Sequence, residues 1–161
     1  MTDIMSPEQR SRVMSRIRGK NTTPERYLDA LLESAKLEYR KHGRDLPGCP
    51  DFVFPQAKVV VFVNGDFWHG WRFPRWSHRL QGFWRDKIMN NRARDERNLR
   101  KLVRGGWRVI RIWEHQVEED VFNCVLRISR VIKTNNMDWG AIRARQRTLP
   151  GLRRRNRLPR H

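Results

Sequence analysis

Cysteine is scarce in this sequence, with only Cys49 and Cys124. The two stand at no metal or redox spacing, so nothing indicates a disulfide framework or a thiolate metal site, and a reduced compartment suits them. Acidic residues are also few: 17 Asp and Glu face 35 Lys and Arg, a net charge of +18. No apolar run approaches the roughly 20 residues of a spanning helix. The first residues, MTDIMSPEQR, lack the apolar core of a signal peptide. A cytoplasmic protein is therefore expected. A length of 161 residues allows one ordinary domain with a real core. The cationic surplus favours a polyanion, nucleic acid ahead of an acidic membrane. Charge alone denotes binding, so hydrolysis has to be sought in particular residues.

The chain divides into an arm (1–21), a body (22–135) and a basic tail (136–161). In the arm, Val13, Met14 and Ile17 predict one short helix with a narrow apolar stripe. It either packs on the body or lies along a nucleic acid and offers Met14 and Ile17 to a groove. Thr22-Thr23-Pro24-Glu25 predicts a capping box that opens a helix, with Tyr27, Leu28, Leu31 and Leu32 as its buried face. A first strand is expected within 37–40, a second at 52–54, and a third at 58–63. That third run, KVVVFV, predicts a strand buried on both faces. Residues 66–79, DFWHGWRFPRWSHR, fit neither period and predict a long functional loop. A helix from 82 to 104 stops at Gly105-Gly106, a strand follows at 107–113 and a last helix at 117–132. Residues 141–161 hold eight Arg, two Pro and no acid, and predict a solvated, disordered tail. The expected fold class is α/β, with helices around a small mixed sheet.

Few residues have the chemistry for catalysis. If the second and third strands form a hairpin, Asp51 faces the backbone at Val63 and Asn64. A carboxylate beside a main-chain carbonyl is a hard oxygen site suited to Mg²⁺, although Asp51 also reads as a turn residue. On the long helix, Trp84, Ile88, Asn91, Asp95, Leu99 and Leu102 share one face. Asp95 on that apolar stripe needs a partner or a metal, and a structural pair with an arginine competes with a role in a site. Glu25 is explained by capping, with a second role in a site open to it. His69 follows a strand end and is placed to act as a general base towards water. The remaining histidines rank lower. Phe67, Trp68, Trp71, Phe73 and Trp76 are interleaved with Arg72, Arg75 and Arg79. That mixture suits stacking or wedging between bases with phosphate clamps alongside, while a loop folded over its own cluster accounts for some of it.

RSRVMSRIRGKNTTPE, LPGCPDFVF, VVVFVNGDFWHG, FWRDKIMNNRARDERN and GGWRVIRIWEHQV occur in order across residues 6–132. Together they resemble the very short patch repair (Vsr) endonucleases. The DFWH element and the spacing from Phe83-Trp84 to Asp95 are the specific parts. The resemblance implies a three-layer fold related to restriction endonucleases, of the PD-(D/E)xK type, and a Mg²⁺-dependent DNA endonuclease that nicks one strand at a T:G mismatch. It implies that Asp51 and the Val63 carbonyl hold magnesium, that His69 activates water, and that Glu25, Asp95 and position 64 complete the site. Residues matching Phe67, Trp68 and Trp84 enter the DNA from the major groove; the loop's own composition makes Arg72 and Arg75 the expected phosphate contacts beside them. Met14 and Ile17 in the N-terminal arm reach the minor groove. Double-stranded DNA is the implied partner of a monomer, with mismatch-repair proteins as further candidates.

Three departures stand out. Asn64 takes the place of a second histidine, and Val63 that of a common threonine. Asp66, Trp71, Phe73 and His115 stand where the family has structural zinc ligands, so no structural zinc is expected. Two other functions stay open: a related nuclease with a different target, and a DNA-binding homologue with weakened catalysis.

Overall fold

In the computed structural model of the chain, residues 6–16, 20–80, 82–133 and 137–151 are described. Among them a four-stranded mixed sheet, in the order β1-β2-β3-β4, lies between two helical layers. The strands are β1 (Arg40–Lys41), β2 (Phe52–Phe54), β3 (Val59–Asn64) and β4 (Arg108–Trp113). The first three are antiparallel neighbours, and β4 runs parallel to β3. The parallel step needs a crossover, which the residues between Asn64 and Arg108 provide.

The two faces follow from the strand period. Phe52, Phe54, Val59, Val61, Ile110 and Ile112 face one way, onto α2 (Thr23–Ser34) and α5 (Glu114–Ile132). Val53 and Val60 face the other way and pack with Leu102 of α4 (Phe83–Arg104). Strand β3 is thus covered on both sides over Val59–Val61, as its β-branched run predicts. It then becomes half-buried at Phe62 and Val63, where the site begins.

Several boundaries differ from expectation. The first strand is only Arg40–Lys41, later than 37–40. Residues 66–79 are not all irregular: a short helix α3 (Phe73–Trp76) and a 3-10 turn (Ser77–Arg79) end the segment. Helix α5 starts at Glu114 and carries a break at Asp120, whose side chain accepts from the Asn123 N–H. Glu25 does not form the reciprocal capping box. Its two oxygens accept from the Asn21 N–H (2.8 Å) and the Thr22 hydroxyl (2.9 Å). The arm forms helix α1 (Pro7–Arg16). Met14 lies within α1, and Ile17 lies outside the described residues.

The largest correction concerns the tail. Residues 139–148 form a helix, α6 (Trp139–Thr148), capped by the Asp138 side chain on the Ala141 N–H. It packs against α2 and α5 through Met137 and Ile142, which are buried. Trp139 meets the Phe122 ring edge-on, and Arg143 lies over that ring's face. The Tyr27 hydroxyl donates to the Pro150 carbonyl. Composition pointed to disorder because the apolar residues are sparse, but those few fall on one face. Among the described residues no helix is long and apolar enough to cross a membrane.

Candidate active site

The hairpin β2–β3 sets the first part of the site. Phe52 pairs with Val61, and the Asp51 N–H donates to the Val61 carbonyl. Asp51 then reaches along β3, and its Oδ2 accepts the Val63 N–H at 2.7 Å. This is the juxtaposition that the hairpin implied, made through the peptide N–H of Val63. Glu25, at the start of α2, is buried beside it. Burial pushes the Asp51 carboxyl up to about 7, opposed by the Val63 N–H and reinforced by the negative charge of Glu25.

The second part comes from the loop after β3. Residues 65–71 fold back as turns, closed by His69 N–H to Gly65 carbonyl and Trp71 N–H to Asp66 carbonyl. Gly70 has φ of +66°, and a Cβ there would meet Arg92 at 2.8 Å and Ile88 at 3.0 Å. Only glycine lets the loop lie this close to α4. The Asn91 side chain donates to the Trp68 carbonyl at 3.0 Å. His69 Nδ1 is 2.6 Å from Asp95 Oδ2, and Arg94 reaches the other Asp95 oxygen at 3.5 Å. Burial raises the Asp95 carboxyl, but the His69 hydrogen bond, with the charges of His69, Arg94 and Arg111, brings it below its ordinary value. Asp95 is therefore paired chiefly with His69, a partner that the helix pattern alone did not reveal.

Asp51, Glu25, Val63, Asn64, His69 and Arg94 all line one cleft of about 500 Å³. A smaller recess of about 100 Å³ continues from it past Asn64 and His69 to Asp95. Asn64 is only 5% exposed. Among the described residues its side-chain amide has no protein hydrogen-bond partner. A buried amide left this way points to a ligand or water.

His42, ranked low from sequence, is at this site. Pairing of Lys41 with Phe52, continued one step, sets His42 across from Asp51, and its N–H donates to the Asp51 carbonyl at 2.9 Å. Glu25, His42 and Asp51 offer ligand atoms that all lie within 4.8 Å of one another. A buried and a half-buried carboxylate whose charges oppose each other are relieved by a cation between them. With an imidazole added, the donor set fits a divalent metal ion.

The aromatics separate into two groups. Trp71 packs between the Trp113 and His115 rings at 4.8 and 4.9 Å, and Phe73 is buried against Trp76. Asp66 accepts from His115 at 2.8 Å. Of these positions, which match the family's zinc ligands, Trp71 and Asp66 tie the loop to His115 at the start of α5, while Phe73 packs within the loop and under Arg92. The second group is a row of ring contacts running Trp76–Phe67–Trp68–Trp84–Phe83. Its members Phe67 and Phe83 remain 41% and 39% exposed. Trp68 also borders the cleft. Arg72 and Arg75 are exposed beside this row, with the Arg72 guanidinium over Trp71.

Two adjacent carboxylates and a carboxylate-supported imidazole in one cleft of a strongly basic chain are the equipment of a hydrolase acting on a polyanion. A family model described as the DNA mismatch endonuclease Vsr matches residues 2–75. The type II nicking enzyme V.XorIIP of Xanthomonas oryzae pv. oryzae is 43% identical over 121 residues, covering 74% of this chain and 89% of the relative. The type II nicking enzyme V.NmeDIP of Neisseria meningitidis serogroup C is 34% identical over 134 residues, covering 81% and 90%. The DNA mismatch endonuclease Vsr of Escherichia coli (strain K12) is 37% identical over 117 residues, covering 71% and 74%. The chain belongs to the Vsr DNA mismatch endonuclease family. It is by that membership a DNA endonuclease.

Proposed function

We propose that this protein nicks one strand of duplex DNA beside a T:G mismatch by Mg²⁺-dependent phosphodiester hydrolysis, on a restriction-endonuclease-like fold. The observation that carries this reading is the meeting of Asp51, held by the Val63 N–H, with the His69–Asp95 pair in one cleft. Asp51 and the Val63 carbonyl would hold the magnesium ion, which when bound stabilises charge developing on the phosphate. An imidazole that donates from Nδ1 to Asp95 keeps Nε2 free to take a proton from water. Asp95 also orients the ring and favours the imidazolium once that proton arrives. The buried Asn64 amide can donate to a phosphate oxygen, and Arg94 at the cleft wall adds positive charge. Glu25 adds a second, buried carboxylate beside the half-buried Asp51.

Recognition is assigned to the aromatic row. A mismatch is weakly stacked, and wedging a side chain costs on the order of a few kcal/mol of unstacking. Trp68 stands immediately before His69, so a wedge there sets the phosphate relative to the imidazole. Phe67 is exposed at the same edge, and Trp84 opens the helix that carries Asp95. A second reading, nicking at another target, is favoured by the names of most relatives, which describe nicking without a mismatch.

The experiment is single-turnover nicking with Mg²⁺ on T:G and paired duplexes. A clear preference for T:G that collapses in Trp68→Ala supports the mismatch reading. Equal cutting of both duplexes moves the assignment to another target. Binding without cutting makes the protein a DNA-binding homologue.

A further inference from the structure

We infer that His42 is a nitrogen ligand in a three-donor cation site with Glu25 and Asp51. The site therefore favours a transition-metal ion such as Mn²⁺ over Mg²⁺ more than carboxylates alone would. The inference rests on the reading of Asp51 as a metal carboxylate.

The spacing comes first. The three donor atoms lie within 4.8 Å of one another, yet His42 forms no ion pair with either carboxylate among the described residues. Two ligands on opposite sides of an ion of this size stand about 4 Å apart. The gap is too wide for a direct pair and close to that needed for a bridging ion. A void of about 10 Å³, lined by Glu25, His42 and Asp51, lies among them. That is room for about one water-sized body.

Two cationic side chains also border the void: the Lys41 ammonium is held by Asp29 at 2.7 Å, and Arg26 is exposed at its rim. Asp51 accepts the Val63 N–H on Oδ2, and no side-chain donor reaches its other oxygen among the described residues. Glu25 accepts one hydrogen bond on each oxygen, so each keeps a lone pair. Among the described residues, His42 Nε2 makes only a long contact, 3.3 Å, to the Asn21 side-chain oxygen.

The backbone also holds His42 in place. Its φ is +52°, a left-handed conformation that a residue with a Cβ adopts only at a cost. The bond from its N–H to the Asp51 carbonyl keeps it there, turned out of β1 and against Asp51. An imidazole in place of a third oxygen shifts preference from Mg²⁺, which takes oxygen and water, towards later divalent metals.

The test needs no DNA. Mn²⁺ is titrated into the full chain by electron paramagnetic resonance, with Mg²⁺ as competitor, and pulsed measurements read nitrogen coupling to the bound ion. The unmodified chain and His69→Ala should both show histidine nitrogen coupling; His42→Gln should lose it. The preference for Mn²⁺ over Mg²⁺ should fall on the order of tenfold in His42→Gln. The proposal is overturned if the unmodified chain shows no histidine coupling, if coupling survives in His42→Gln, or if the preference is unchanged. Should His42→Gln not fold, the unmodified chain and His69→Ala still decide it. Mn²⁺ binding that needs Asp51 but shows no histidine nitrogen sinks this inference alone. Coupling from His42 in a chain that never nicks sinks the proposed function and leaves the ligand standing.

Discussion

Two aspartate–histidine pairs share one turn of the loop and look alike: His69 with Asp95 at 2.6 Å, and His115 with Asp66 at 2.8 Å. Their surroundings differ. The His69 ring lines the cleft beside Asn64 and Arg94, with Asp51 across from it. The His115 ring is packed against Trp71, which is itself packed on Trp113. The same pair thus serves as reactive equipment where the ring opens on a polar cleft, and as a clamp where an aromatic covers it. What a histidine does is set by what its remaining ring surface meets.

Asp51→Ala puts the largest demand on this contrast. It should abolish nicking while DNA binding, followed by fluorescence anisotropy, stays largely intact. Substantial Mg²⁺-dependent nicking in that variant would place the chemistry elsewhere. His69→Ala should slow single-turnover nicking by ~10²–10⁴-fold, the usual range for loss of a general base. A normal rate at neutral pH would strip the His69 pair of its special place.

A packing defect should behave in the opposite way. Ile142 is fully buried under α2 and α5. Ile142→Ala should cost about 2–5 kcal/mol in denaturant unfolding and leave the rate per folded molecule unchanged. Unaltered stability would mean that α6 is not docked in solution.

The pH dependence of stability bears on Asp51. Burial, above all, raises its carboxyl to about 7. A raised value means that the folded chain favours the protonated form. The stabilisation is full below the ordinary value near 3.8 and is lost as pH climbs towards 7. The cation-free chain should therefore melt at lower temperature at pH 8 than at pH 5. Asp51→Asn should flatten that slope, and a divalent cation should raise the melting temperature more at pH 8 than at pH 5. Equal slopes in Asp51→Asn and the unmodified chain would count against it.

The smallest effect is expected at the clamp. His115→Ala leaves the partly exposed Asp66 without its partner, worth roughly 0–1 kcal/mol in unfolding. Nicking should fall much less than in His69→Ala. Equal kinetic losses at the two histidines would erase the distinction between reactive pair and clamp.

The elements that sequence could predict were those whose pattern is local. A β-branched run bounded by turns placed β3, and the helical period of Trp84, Ile88, Asn91, Asp95 and Leu102 placed one face of α4 against the sheet. The β2–β3 hairpin joins near neighbours, so Asp51 beside the Val63 peptide was also legible. His42 was not. Its place depends on β1 being only Arg40–Lys41 and on its register with β2, neither of which apolar periodicity specifies. The His69–Asp95 and His115–Asp66 pairs likewise join residues far apart in the chain, and many arginines were equally available to each aspartate. Helix α6 was missed because Met137, Trp139 and Ile142 are too few to stand out in an arginine-rich stretch. Sequence by itself determined the charge, the strand and helix faces, and the stock of acids, imidazoles and aromatics. Tertiary structure decided which of them share a cleft, because long-range pairing and side-chain burial are properties of packed surfaces and not of any local run of residues.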